Sequence, residues 1–175
     1  MKKGDPRKKT GFTIIEVALV LAIAGLIFLM VFVALPQLQR QQRDSRRRDD
    51  ILSFLETVKK YQTNNRGALP TGTGDIGGRP TTEPDDKTSW GGFYWGYIDD
   101  SFVDPDGSEY SLQVNECRPE EKNRCAYTEP DAMDHVLHIF TKATCNGAEV
   151  VESSNPRNVA VFYKLEGAGI YCANT

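Results

Sequence analysis

Gly11-Phe12-Thr13-Ile14-Ile15-Glu16-Val17 opens a run in which, from position 12 to position 35, Glu16 is the one charged residue among 24. At a rise of about 1.5 Å per residue, a helix of that length crosses a hydrocarbon core of about 30 Å. An ordinary signal peptide has an apolar core of only about 7–15 residues, so this run is too long to be one. Mean hydropathy over the whole chain is nonetheless −0.45. The apolar residues are therefore concentrated in one segment, and the sequence predicts a membrane-inserted helix attached to a polar remainder.

Flanking charge does not orient that helix by itself. Lys2, Lys3, Arg7, Lys8 and Lys9 precede it against Asp5, as in a cytoplasmic flank, but Arg40, Arg43, Arg46, Arg47 and Arg48 follow it closely. The cysteines favour a polar part that lies outside. All four, Cys117, Cys125, Cys145 and Cys172, fall in the polar part without a CxxC pair, which suits disulfides in an oxidising compartment better than a zinc site. Four thiols allow three pairings. Preferred is Cys117 with Cys125, closing a short loop over residues 118–124, and Cys145 with Cys172, stapling the C-terminal strand to an earlier one.

With 175 residues the chain has room for one compact domain and an appendage. A formal charge of −3 supplies no global basic field, so nucleic acid is not an expected direct partner. There is no Gly-rich phosphate loop, GxSxG elbow or HExxH, and no thiol–imidazole pair recognisable by spacing, so no catalytic residue, cofactor or metal is assigned. Glu16 is different. A carboxylate at bilayer depth costs up to about 2.5–3.5 kcal/mol, less near the interface, and asks for a partner.

These residues carry a resemblance. The short basic leader, the Gly11-Phe12 junction, Glu16 four residues beyond Phe12 and the apolar span resemble the N-terminus of type IV prepilins and the related pseudopilins. The resemblance implies cleavage between Gly11 and Phe12 by a prepilin peptidase, N-methylation of Phe12 and a role for Glu16 in subunit assembly. The carboxylate of Glu16 would neutralise the Phe12 ammonium of a neighbouring subunit in a low-dielectric core. Also implied are a pilus assembly platform with its ATPase, a homo-oligomeric helical filament, and a single-pass membrane stage with the C-terminal domain outside. The implied fold is α+β, a long N-terminal helix packed on a small antiparallel sheet.

The expected organisation is a cleaved leader at 1–11, a transmembrane and filament-core helix at 12–36, and an amphipathic helix at 37–66. A variable Gly- and Pro-rich loop at 67–92 and a sheet domain at 93–175 complete it. Removing the leader takes away five basic residues and one acid, which moves the side-chain charge from −3 to −7. Gly25 and Pro36 both weaken helical continuity, and the family resemblance makes the stretch between them the place for a helix break in an assembled filament. Membrane helices also tolerate both residues, which leaves an unbroken helix open.

Ile51, Leu52, Phe54, Leu55, Val58 and Tyr61 form a stripe at helical spacing that fits packing on a sheet. The preceding segment, 37–50, carries the Arg cluster and reads as a solvated face or an inter-subunit charge network. Asn64-Asn65-Arg66-Gly67 stops the helix, with Gly67 in a left-handed position. Seven Gly and three Pro between 67 and 92 predict no regular element there. Strands are expected at 93–98, 109–114, 135–141, 158–165 and 169–173, the last two joined by a turn at Glu166-Gly167-Ala168-Gly169. The acidic loop of Asp99, Asp100, Asp104 and Asp106 lacks the spacing of an EF-hand and reads as an ordinary turn. It resembles the Asp-Pro-x-Gly turn of major pseudopilins, some of which bind calcium through a later loop with no counterpart here. His135 and His138 are expected on opposite faces of a strand, unable to share a metal.

Two other functions fit the same residues. One is a pseudopilin of a secretion or competence system. The other is a monomeric membrane-anchored module in which Trp90, Phe93, Tyr94, Trp95 and Tyr97 hold a ligand rather than fill a core.

Overall fold

The computed structural model describes residues 11–118, 125, 135–167 and 169–175. The leader up to position 10 and most of the loop between Cys117 and Cys125 lie outside the described residues. The chain divides into two compact units at Gln39 and Arg40. Helix α1 (Ile14–Asn64) is continuous, with Pro36 inside it and Gly25 helical. No break occurs at either position in this single chain. From Phe12 to Leu38 the large apolar side chains are exposed, Phe12 at 85% and Ile14 at 91% among them. This helix is the one in the described residues long and apolar enough to cross a membrane.

From Arg40 onward a second unit forms a head. Its main sheet contains β1 (Gly74–Gly77), β2 (Ser111–Glu116), β3 (Val136–Thr141), β6 (Val159–Leu165) and β7 (Gly169–Asn174) in the order β1-β2-β3-β6-β7. A separate hairpin is made by β4 (Ala143–Asn146) and β5 (Glu149–Glu152). The architecture is α+β, a long N-terminal helix followed by a sheet that is antiparallel except between β2 and β3. That parallel pair departs from the all-antiparallel sheet expected. Parallel neighbours need a long crossover, and the chain between Glu116 and Val136 supplies the length.

Ile51, Phe54, Leu55, Val58 and Tyr61 of α1 enter one core with Leu112, Val114, Leu137, Ile139, Val159, Val161 and Leu165. Leu52, placed in the same stripe from sequence, is 46% exposed instead. Helix α1 ends where Arg66 and Gly67 take positive φ of 56° and 83°, and the Gly67 amide closes onto the Gln62 carbonyl at 2.7 Å. A smaller core of Phe140, Ala143, Val150, Ala160 and Phe162 gathers around Cys117 and Cys125. The disulfides join Cys117 to Cys125 and Cys145 to Cys172.

Two expectations about local structure are corrected. The aromatic run expected as a strand at 93–98 is helix α2 (Trp90–Tyr97), because Ser89 caps it, accepting from the Gly92 amide at 3.1 Å. Trp90, Phe93, Tyr94 and Tyr97 then follow the three-and-four spacing of one helix face, and three of them are fully buried. Phe93 packs edge-on against Phe54 and Tyr61, which stabilises a helix that its three glycines disfavour. At Gly92 a Cβ would stand 2.6 Å from the Asp86 carbonyl oxygen, so the loop closes on α2 only because that residue has no side chain. The segment 67–92 is also not wholly irregular, since it contains β1 and the first residues of α2.

Candidate functional site

Two arrangements stand out, one at the start of α1 and one inside the head. At the start, Gly11, Phe12 and Thr13 are non-helical and exposed. The Thr13 hydroxyl accepts from the Glu16 amide at 3.3 Å, and the Thr13 carbonyl accepts from the Val17 amide at 3.3 Å. Thr13 is thus the cap that fixes where the helix begins. The Gly11–Phe12 peptide bond therefore lies outside the helix. The Thr-x-x-Glu pattern, legible in the sequence, marks the helix start. In the first turn, a carboxylate also sits well with the partial positive charge of the helix N-terminus.

Inside the head, Arg47 is 2% exposed and is held on three sides. Its Nε and Nη2 donate to Asp104 Oδ2 and Oδ1 at 2.6 and 2.8 Å. Its Nη1 donates to Glu166 at 2.8 Å and to Asp44 at 3.3 Å. Arg43 adds a second fork on Glu166, at 3.0 and 2.6 Å. Asp44 in turn accepts the Glu166 and Gly167 amides, each at 3.0 Å. The β6–β7 turn and the Asp104 loop are both tied to α1 by charge-assisted hydrogen bonds, stronger than neutral ones.

For Arg47 and the half-buried Arg43 this corrects the solvated reading of the Arg cluster, while Arg40, Arg46 and Arg48 are exposed. Asp44 and Arg47 continue the buried stripe of Ile51, Phe54, Val58 and Tyr61 toward the N-terminus at the same three-and-four spacing. That spacing was the signal available, but hydropathy hides it, because a charged pair counts as surface until its partners are known.

The titration of these groups follows from their surroundings. Burial by itself would raise the Asp104 carboxyl, but the Arg47 guanidinium and the Asp106 amide overcome it and hold Asp104 down at about 2. Glu166 is held at about 2, chiefly by the Arg43 fork. Burial raises Asp50, which accepts from the Tyr110 hydroxyl at 3.1 Å. Burial also raises Tyr110 and Tyr163, and pushes Tyr94 up to about 12.

Asp104, Asp106 and His135 bring one potential metal-ligating atom each within 4.8 Å of one another. His135 precedes β3 with a φ of 47°, and its Nε2 stands 3.3 Å from Asp106 Oδ2. The sequence did not anticipate this approach. Both Asp104 oxygens are already taken by Arg47, and Oδ2 also accepts from the Tyr163 hydroxyl at 3.2 Å, so the group works as the anion of an ion pair. Trp90, Phe93 and Tyr94, weighed as a ligand surface, are core.

A long apolar helix followed by a disulfide-linked α+β head defines a pilin-type architecture. The family model of the prokaryotic N-terminal methylation motif matches residues 6–32, and the chain carries the prepilin signature of a type IV pilin-like or pseudopilin protein. No curated protein and no solved structure matches the chain.

Proposed function

We propose that this chain is the structural subunit of an extracellular type IV pilus. It is inserted in the membrane, cut between Gly11 and Phe12, methylated on Phe12 and polymerised into a helical filament with the disulfide-linked head outward. The observation that carries this reading is the start of α1. A non-helical Gly11-Phe12 junction is followed by a capped first turn holding Glu16 and then by exposed apolar side chains. Burying one such Leu or Ile is worth about 1.5–3 kcal/mol, and neighbouring spans offer the surface to do it once the subunit leaves the lipid. Cleavage frees an ammonium on Phe12, and Glu16 of a neighbour supplies its countercharge in a medium where an unpaired charge is costly. Prepilin peptidase, an assembly platform and an ATPase are the partners this route requires. Adhesion, twitching motility or DNA uptake are the activities such a filament serves.

The test is the intact mass of the protein sheared from cells. A chain that begins at Phe12 and carries one extra methyl group is expected. A full-length chain confined to the membrane fraction would overturn the proposal in favour of a membrane-anchored binding module.

A further inference from the structure

On the head, where α1 ends against the turn between β5 and β6, lies an open cavity of about 540 Å3. Lys59, Arg66 and Arg157 line it, together with the amide side chains of Gln62, Asn155 and Asn158. No Asp or Glu side chain is among the lining residues, although the chain as a whole is acidic. None of the three cations has a carboxylate within ion-pair distance among the described residues, unlike Arg43 and Arg47 on the same helix.

The cavity is held in shape by bonds that leave its functional atoms available. Gln62 Nε2 donates to the Arg157 carbonyl at 2.8 Å, and Asn155 Oδ1 accepts the Arg157 amide at 3.0 Å. Asn158 Nδ2 donates to Ser153 Oγ at 3.0 Å. The Arg157 guanidinium lies across Gly67, where a Cβ would come within 2.8 Å of Nη1. Thr175, the last residue of the sequence, also lines the cavity, and its carbonyl oxygen accepts from Asn174 Nδ2 at 3.0 Å. Among the described residues no hydrogen bond or ion pair engages the three cationic groups, one amide donor (Asn155 Nδ2) or two amide acceptors (Gln62 Oε1 and Asn158 Oδ1).

We propose that this cavity binds an acidic sugar, with the cations on its carboxylate and the amide groups on its hydroxyls. A bare oxyanion can use the donors but has nothing to give the two acceptors, whereas a hydroxyl both donates and accepts. A neutral sugar offers the three cations no countercharge. No aromatic side chain lines the cavity to stack a base, so the donor set is not that of a single-stranded nucleic-acid groove.

The experiment is titration of the full-length chain in detergent micelles with D-glucuronic acid, D-glucose and inorganic phosphate, read by isothermal calorimetry at low and high salt. Glucuronate is expected to bind, more weakly at high salt because exposed charges are screened, with glucose and phosphate each at least about tenfold weaker. The double variant Lys59→Gln/Arg157→Gln is expected to lose about tenfold or more of that affinity while melting like the parent. Phosphate binding as tightly as glucuronate would mean a charge patch without sugar recognition and would overturn the proposal. Equal binding of glucose, no binding of glucuronate, or undiminished binding by a folded double variant would overturn it as well.

Discussion

Arg47 and Asp104, 57 residues apart in the chain, meet inside the head through two parallel hydrogen bonds, Nε to Oδ2 at 2.6 Å and Nη2 to Oδ1 at 2.8 Å. The side chains are 2% and 0% exposed, so the pair lies out of water and each member depends on the other. Replacing Arg47 with Met leaves Asp104 buried without its countercharge, which costs about 3–5 kcal/mol. Arg47→Lys restores the charge but not the planar fork and is expected to fall between Met and the parent. Thermal melting of the three full-length chains in micelles checks this order, and equal melting of Met and parent would refute the role assigned to the pair.

Acid should weaken the head in a defined window. Asp104 and Glu166 are held at about 2 in the fold, whereas unfolded carboxylates titrate near pH 4. A group depressed on folding adds its full stability above the unfolded value, and that stability is lost as pH falls toward the folded value. Melting temperature is therefore expected to hold from about pH 7 to about pH 5 and to decline from there toward about pH 2. Asp50, raised by burial, acts in the opposite sense and softens the decline. Glu166→Gln should show a shallower acid decline than the parent, and identical profiles would count against the Arg43–Glu166 fork as its source.

The two disulfides differ in the length of chain they close, with separations of 27 residues for Cys145–Cys172 and 8 for Cys117–Cys125. Loop-closure entropy assigns about 3–4 kcal/mol to the first and about 2–3 kcal/mol to the second. Cys145→Ser/Cys172→Ser should accordingly lose more stability in urea than Cys117→Ser/Cys125→Ser. The reverse order would show that packing around Cys117 and Cys125, both in the smaller core, outweighs chain entropy.

Glu16→Ala removes a carboxylate that lies outside the compact unit forming the head. Head melting should not change, while recovery of sheared filament should fall well below the parent's. Filament at parental yield from this variant would remove the case for pairing between Glu16 and the Phe12 ammonium.

Much of this protein was already determined by its sequence. The apolar run, the Gly11-Phe12 junction and the Glu16 spacing are local patterns, and so is the helical stripe from Ile51 to Tyr61. Strands at β2, β3, β6 and β7, and the helix end at Gly67, followed from propensity and turn chemistry acting over a few residues. Other features depended on partners distant in the chain. The aromatic run at 90–97 is a helix capped by Ser89 whose face is received by Phe54 and Tyr61, and local pattern could not weigh that contact against a strand. Arg47 looked like surface because its charge is tolerated inside only when Asp104 and Glu166, which no spacing rule connects to it, join Asp44 one turn away. The parallel pairing of β2 with β3 likewise joins residues distant in the chain, such as Val114 and Ile139. Short-range chemistry set the membrane segment and its motif, while long-range burial and charge pairing decided which polar residues became the interior of the head.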